Sequence, residues 1–304
     1  MIKRILKRLL RPQQDTGVVI SYIESSKMLM GRMLANLNEE RTEKILANIQ
    51  KAEFKIFSQF GDDGIIQFLV NYLEIEEKTF IEFGVEDYSE SNTRYLLMNN
   101  NWRGLVMDGS EELMQRTVNS DYYWRYELTA KPLFVTKENI NQFILDNGYS
   151  GTIGLLHVDI DGNDYWIWKE INVIDPIIVI VEYNSVFGPD KPWTIPYDPK
   201  FYRTEKHFSN LYWGTSLLSL CDLASEKGYI FIGSNLAGNN AYFVKKEKAK
   251  NLIPLTSQQG YTLSRYRESR DINGVLTFIT GEDRLKTIKN LEIFNTRENK
   301  IERI

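Results

Sequence analysis

Three carboxylates crowd into six positions at the end of Leu155-Leu156-His157-Val158-Asp159-Ile160-Asp161-Gly162-Asn163-Asp164. The apolar run reads as a buried parallel strand, and Gly162-Asn163 supplies the turn into a helix. Asp159 and Asp161 then stand at the carboxyl end of a strand, where open α/β sheets place their ligands. Period-two alternation puts His157, Asp159 and, where the extended geometry persists, Asp161 on one face. Val179-Ile180-Val181-Glu182 ends the next strand with another acid. Asp159 and Glu182, at neighbouring strand tips, could share a hard cation such as Mg2+, leaving Asp161 as a general base. The same acids could instead cap helices, accept turn hydrogen bonds or stay in water, and Asp164 sits where a first-turn acid favours the helix dipole.

A second constellation lies upstream. Phe80-Ile81-Glu82-Phe83-Gly84 is a strand that ends in an acid followed two residues later by glycine. Glycine lets the backbone approach a nucleoside, and the acid can receive a ribose or amino group. Leu105-Val106-Met107-Asp108 ends the following strand with an acid 24 residues past Gly84. That is near the roughly 20-residue interval at which nucleoside-binding sheets hold ribose hydroxyls. His157, inside its strand, reads as a core histidine, whereas His207, in a Pro-rich loop, is freer to act as a base. Trp166, Trp168, Trp193 and Trp213 either form an aromatic wall for a sugar or nucleobase or pack internally. There is no Gly-x-Ser-x-Gly elbow and no Walker loop, and Cys221 falls inside a helical pattern, so nucleophilic hydrolysis has no support.

The elements that must position these residues alternate strand and helix. Strands are expected at 79–83, 104–107, 133–135, 153–158 and 177–181, with helices at 92–99, 111–118, 137–146 and 165–171 between and around them. Such alternation implies βαβ units and a parallel sheet. A helix at 215–227 and a hairpin of strands at 229–233 and 241–244 follow. Five parallel strands, a helix and a returning hairpin is the order of the Rossmann-like methyltransferase sheet. Residues 54–245 would form this domain, with the stretch 184–212 (Pro189, Pro192, Pro196, Pro199) as a lid or substrate wall. Upstream, 54–73 holds a turn and a helix from Ile65, which Asp62 or Asp63 could cap. Residues 1–53 read as a helical N-terminal extension and 246–304 as a C-terminal α+β addition with a strand at 275–279. The methionine-rich helical stripe within 15–50 suits core packing or a homo-oligomer contact.

Several short blocks recur in a specific order: Ser58-Gln59-Phe60-Gly61-Asp62-Asp63-Gly64, Phe80-Ile81-Glu82-Phe83-Gly84-Val85, Ser91-Asn92-Thr93-Arg94, Asp108-Gly109-Ser110-Glu111, Asp159-Ile160-Asp161-Gly162-Asn163-Asp164-Tyr165-Trp166, Glu182-Tyr183-Asn184 and Ile195-Pro196-Tyr197-Asp198-Pro199. Together they resemble a bacterial branch related to the FkbM-type methyltransferases, often found among surface-polysaccharide genes. The resemblance implies a class I fold binding S-adenosylmethionine, with Glu82, Gly84, Asp108 and Ser110 at the cofactor. Comparison with metal-dependent sugar O-methyltransferases of the TylF kind implies Asp159 and Glu182 as Mg2+ ligands and Asp161 as the base, and His207 in the loop is the second candidate base. Two departures stand out. Glu86 and Tyr88 occupy positions where related members often have glycine, and Tyr183 replaces a second acid that commonly accompanies the one on the fifth strand.

Composition narrows the partners. The 304 residues are 42% hydrophobic with a formal net charge of -4, which is ordinary for a globular protein and unlike a nucleic-acid surface. The single Cys221 rules out an intrachain disulfide framework and fits a reducing cytoplasm. No run approaches the roughly 20 apolar residues of a membrane span. Residues 1–12 lack the h-region of a signal peptide and alternate Ile and Leu with Lys and Arg at helical spacing, a basic amphipathic pattern suited to peripheral contact with a membrane's inner face. The sequence thus favours O-methylation of a sugar hydroxyl in a surface glycan or its nucleotide-linked precursor. The rivals are a glycosyltransferase using Asp159-Ile160-Asp161 to hold a metal and a nucleotide-sugar, and a non-catalytic scaffold in polysaccharide assembly.

Overall fold

The computed structural model describes the backbone of residues 11–304 and side chains from residue 17 onward. Most of the basic segment expected to touch a membrane lies outside the described residues. A long helix, α1 (Arg11–Glu39), leads through α2 (Thr42–Ala47) to α3 (Asp62–Leu73). The alternating part follows as β1 (Thr79–Phe83), α4 (Arg94–Asn100), β2 (Arg103–Asp108), α5 (Glu111–Val118), β3 (Leu128–Pro132), α6 (Ile140–Asp146), β4 (Gly151–Val158), α7 (Asp164–Glu170) and β5 (Ile174–Glu182). Beyond it come β6 (Trp193–Thr194), α8 (Arg203–Lys206), α9 (Leu217–Glu226), β7 (Tyr229–Ser234), β8 (Asn240–Lys245), α10 (Ser257–Gly260), α11 (Glu282–Thr287), β9 (Glu292–Asn295) and β10 (Lys300–Arg303).

The main sheet has the order β3-β2-β1-β4-β5-β8-β7. Its first five strands in sequence are parallel, and β8 runs antiparallel to both β5 and β7. This is the doubly wound sheet with a reversed hairpin that the Rossmann-like methyltransferase order requires. The central strands are apolar on both faces because both are covered. In β5, Ile178 and Ile180 enter one core with Ile65, Leu69 and Leu97, while Val179 and Val181 enter the other with Ile144, Ile167 and Leu220. Each of these four β5 side chains is fully buried, worth about 1.5–3 kcal/mol apiece.

The differences from the sequence reading have local causes. The third strand is Leu128–Pro132 rather than 133–135. It is an edge strand paired only with β2, so it needs no apolar alternation and tolerates a terminal proline. Helix α3 begins at Asp62 after an N-cap Gly61, and neither acid caps it through its side chain. Asp63 instead turns back and accepts from the backbone of Ile56, Phe57 and Ser58. The strand expected at 275–279 does not form. Only an isolated bridge, Arg270 to Leu276, is present, and Val275 and Phe278 point into solvent.

The Pro-rich stretch is built into the body of the protein. Its β6 pairs with β9, which pairs with β10, in a second small sheet. Trp193, Ile195 and Leu211 from the stretch share one core with Trp213 just beyond it and with Ile288 and Ile293 from the C-terminal segment. The stretch and the C-terminal segment together form one packed wall over the carboxyl end of the sheet.

Candidate functional site

The site is a row of residues at the carboxyl ends of the strands. Gly84 follows β1 at φ +70°, and a Cβ there would lie 1.7 Å from the carbonyl oxygen of Asp159. Only glycine lets the tips of β1 and β4 meet backbone to backbone. Glu86 and Tyr88 continue the turn with φ of 47° and 61°. These are left-handed conformations that glycine adopts readily and other residues adopt at a cost, which explains why glycine suits both positions. They are held by a hydrogen bond from Glu86 N to Asp108 Oδ2 at 3.0 Å and by the Tyr88 hydroxyl against Thr93 Oγ1 at 2.9 Å. The other Asp108 oxygen accepts from Ser110 N at 2.9 Å. The Ser110 side chain caps α5 by accepting from Leu113 N at 3.3 Å. Gly84, Asp108 and Ser110 all line one cavity of about 600 Å³ that runs on to Leu133, Phe134 and Val135.

Glu82 takes a different part. It is 2% exposed and lies in register beside His157, which is 3% exposed. One carboxylate oxygen accepts from Asn92 N at 2.9 Å and meets His157 Nδ1 at 3.0 Å, and the other accepts from Ser91 Oγ at 2.6 Å, Thr93 N at 3.1 Å and Thr93 Oγ1. Burial alone would raise the carboxyl, but His157, Ser91 and Thr93 outweigh it and hold it below its ordinary value. Burial would likewise lower His157, and the bond and charge of Glu82 raise it instead. Glu82 thus organises the 91–93 turn with all its bonding directed at protein. It lines a second cavity of about 430 Å³ rather than the first, and His157 lines that cavity too.

The two cavities meet at Gly84, Glu86, Asp159, Asp161, Arg203 and Glu268. Asp159 and Glu182 continue the register Val158 to Val181 and stand at neighbouring strand tips, as expected. Burial, opposed by His157 and reinforced by Asp161 and Asp164, pushes the Asp159 carboxyl up to about 7. Glu182 is pushed well above its ordinary value by burial and by Asp159. The buried Asp164 stays inside, where Oδ1 accepts from Ile160 N at 2.8 Å and Oδ2 from Gly162 N at 2.9 Å, fixing the turn after β4.

Asp161 does not follow the extended alternation. Its φ of 55° turns it outward, and its carboxylate lies 2.5 Å from Arg203 Nη1. Arg203, which no spacing pattern marked, is the hub of the wall. It bonds Glu268 at 3.3 Å and the Asn210 carbonyl at 3.2 Å, and stacks 4.5 Å over Trp213. His207 lines neither cavity and pairs with Ser209 Oγ at 2.7 Å. The four tryptophans are packing residues. Trp168 sits on Phe243, Trp193 on Phe187 and Trp166 on Phe294. The aromatic rings that face the cavities are Phe134, Phe201 and Tyr202 in the first and Phe60 and Tyr266 in the second.

A Mg2+ at the strand tips would find Asp159 and Glu182 but not Asp161, which is turned to Arg203. Among the described residues no group of three or more His, Cys, Asp or Glu is arranged to hold a metal. The same divergence of Asp159 and Asp161 removes the metal-and-diphosphate arrangement that a glycosyltransferase would need from that pair.

No protein-family model matches the chain, and no curated protein matches it. Among solved structures it is similar to an O-methyltransferase from Bacillus cereus in complex with SAH, at 16% identity and TM-score 0.40 over 68% of this chain and 90% of that one. It is also similar to the N-terminal domain of EvdMO1 in the presence of SAH and D-fucose, at 10% identity and TM-score 0.41 over 67% of this chain and 94% of that one. The CurJ carbon methyltransferase gives 10% identity and TM-score 0.41 over 77% and 70%. These likenesses are distant, and the fold assignment rests on the strand order. Among the described residues no helix is long and apolar enough to cross a membrane.

Proposed function

We propose that this chain is an S-adenosylmethionine-dependent O-methyltransferase acting on a sugar hydroxyl, in a surface glycan or its nucleotide-linked precursor. The observation that carries the reading is the 600 Å³ cavity and the order of its lining. Across the neighbouring strands β1, β2 and β3 it passes from the side-chain-free wall of Gly84 by Asp108 to Leu133, Phe134 and Val135. That order suits an amino-acid tail, a ribose and a purine in turn. Each Asp108 oxygen gives one acceptor site to a backbone N–H and keeps another for a ribose hydroxyl. The bare backbone at Gly84 is the cradle that the tail would occupy.

When bound, S-adenosylmethionine supplies an already activated methyl group, so the protein's tasks are alignment and proton removal. Asp159 is the residue placed for the second task, in preference to Asp161 or His207. It stands where the two cavities join, and a carboxyl near 7 is matched to taking a hydroxyl proton at neutral pH. Arg203 holds Asp161 out of the way. Calorimetry with S-adenosylmethionine and S-adenosylhomocysteine tests the reading. Wild type should bind both, and Asp108→Ala should bind about ten-fold more weakly or worse, the loss expected for hydrogen bonds to a charged group. A folded wild type that binds neither would sink it.

A further inference from the structure

The second cavity carries information about the acceptor. Seven of its lining residues are acids, against one arginine and one histidine. His157 offsets Glu82, Lys55 offsets Glu90, and Arg203 is shared between Asp161 and Glu268, which leaves Glu86, Asp159 and Glu182 without a basic partner. Two buried acceptor atoms on its wall find no donor in the protein, Glu182 Oε2 and Asn240 Oδ1. The residues are 6% and 3% exposed and lie opposite each other on β5 and β8. The Asn240 amide is oriented by its nitrogen, which donates to the acceptor-only Asp62 carboxylate at 3.0 Å, so the free atom is the oxygen. Phe60 and Tyr266, stacked with centroids 6.0 Å apart, close one side.

Orphaned acceptors in an acidic, aromatic-sided cavity call for a ligand rich in donors and positively charged; an ammonium has three donors and no acceptor. We infer that the acceptor is a polyol bearing a primary ammonium group, an amino sugar, seated with its nitrogen at Asn240 Oδ1 and Glu182 Oε2. Phosphorylated and nucleotide-linked sugars are disfavoured, because a phosphate there would meet carboxylates with one guanidinium to answer them. The inference rests on the proposed methyltransferase reading for its chemistry and on the second cavity alone for its specificity.

The test loads the protein with S-adenosylhomocysteine and titrates glucosamine, N-acetylglucosamine and UDP-N-acetylglucosamine by ligand-observed NMR. Glucosamine should bind about ten-fold or more tightly than its N-acetyl form, with the nucleotide-sugar weakest. Glu182→Gln should abolish that preference, as should Asn240→Leu, with S-adenosylhomocysteine affinity unchanged within two-fold. Equal binding of the first two sugars, tighter binding of the nucleotide-sugar, no binding of any, or a preference that survives Glu182→Gln would overturn the inference. Failure of S-adenosylhomocysteine to bind counts against the cofactor reading alone, and the same three titrations on the unloaded protein still decide this one.

A separate observation concerns α1. Its inner face, with Met28, Gly31, Ala35 and Asn38, packs on the domain, Gly31 so closely that a Cβ would lie 2.7 Å from the Tyr95 hydroxyl. The charges between 17 and 38 are Glu24, Lys27 and Arg32, and all three bond the chain's own domain, at Arg94, the Ile56 carbonyl and Asn99. The opposite face is left apolar and uncharged. Val19, Ile23, Met30, Met33 and Leu37 are 49–60% exposed and follow the alternating four-and-three spacing of a coiled-coil seam, with Ser26 in the remaining slot. With their neighbours they present on the order of 1,000 Å², against about 800 Å² per partner in a standard interface. We propose that this face pairs with the same face of a second copy. Sedimentation equilibrium of the full chain should give a dimer, and Met30→Glu with Met33→Glu a monomer of unchanged circular dichroism. A monomeric wild type, including one that floats with anionic vesicles, or a variant still dimeric would overturn it.

Discussion

Gly84→Ala is the sharpest perturbation of the proposed cofactor site, since it adds one methyl group to a cavity of about 600 Å³. By volume alone the change would be trivial. Its cost comes from two other sources. Alanine at φ +70° gives up about 1–2 kcal/mol relative to a right-handed residue. In addition, the new Cβ would lie 1.7 Å from the Asp159 carbonyl oxygen, where ordinary contact begins at 3.4 Å. The atom met is backbone, so no rotamer change relieves the clash. The tips of β1 and β4 must part by about 1.5 Å, and displacements of about 1 Å near a reacting centre cost on the order of 100-fold. Calorimetry with S-adenosylhomocysteine should therefore show affinity reduced about 100-fold or more, near 3 kcal/mol, in a protein that still melts cooperatively. The control is Gly109→Ala on the same cavity, where the new Cβ meets only the movable Phe134 ring at 3.3 Å; it should stay within a few-fold of wild type. A folded Gly84→Ala protein that binds within three-fold of wild type would refute the argument that this glycine is the cradle.

Asp159→Asn keeps the carbonyl that flanks Gly84 and removes the proton acceptor, so methyl transfer should fall by about 100-fold to 1,000-fold with S-adenosylhomocysteine affinity preserved; a loss of only a few-fold would reassign the base. Because Asp159 must be ionised to accept a proton, the wild-type rate should climb with pH up to about 7 and level above it, and a flat profile through that range would count against it. Asp161→Ala and His207→Ala should stay within about ten-fold of wild type, well short of the loss of a general base. Glu82→Gln should destabilise the fold by about 3–5 kcal/mol in urea titrations, the cost of breaking a buried pair. The pH dependence follows from the shifts: His157 is raised, so its contribution is full below 6.5 and lost as pH rises through its folded value, while Glu82 is lowered, so its contribution is full above 4.5 and lost as pH falls through its folded value. The gap between wild type and Glu82→Gln should be widest between 4.5 and 6.5 and should narrow on both sides; a gap that keeps widening toward alkaline pH would contradict the pairing.

The parts of the fold that sequence reveals are those where local pattern and tertiary environment agree. Thr79–Phe83 and Glu111–Val118 form over the residues expected of them. The first is apolar between two cores, and the second has Ser110 as its cap and acids in its first turn. Leu128–Pro132 was illegible because an edge strand is chosen by its partner's free hydrogen bonds, whereas the more apolar 133–135 line a cavity instead. The same holds within the site. That Asp159 would meet Glu182 followed from parallel neighbours with acids at equal heights. That Asp161 would not join them turned on one left-handed residue, which period-two reasoning cannot foresee.

The proposed acceptor side of the site depends on contacts far apart in sequence. Arg203 is aimed by Trp213 and by Glu268, 65 residues away, and both belong to the wall formed when the Pro-rich stretch packs on the C-terminal strands. No motif marks such a residue, because its role comes from where two segments cross. The proposed cofactor side, by contrast, gathers residues from three neighbouring strand ends, which a glycine, an acid and a spacing can point to. Residues that touch an invariant ligand can be read locally, and residues that set acceptor choice are placed by long-range packing. For this chain that puts the specificity test at Asn240 and Glu182, where a single substitution changes the charge or the donors that an incoming sugar meets without touching the cavity at Gly84.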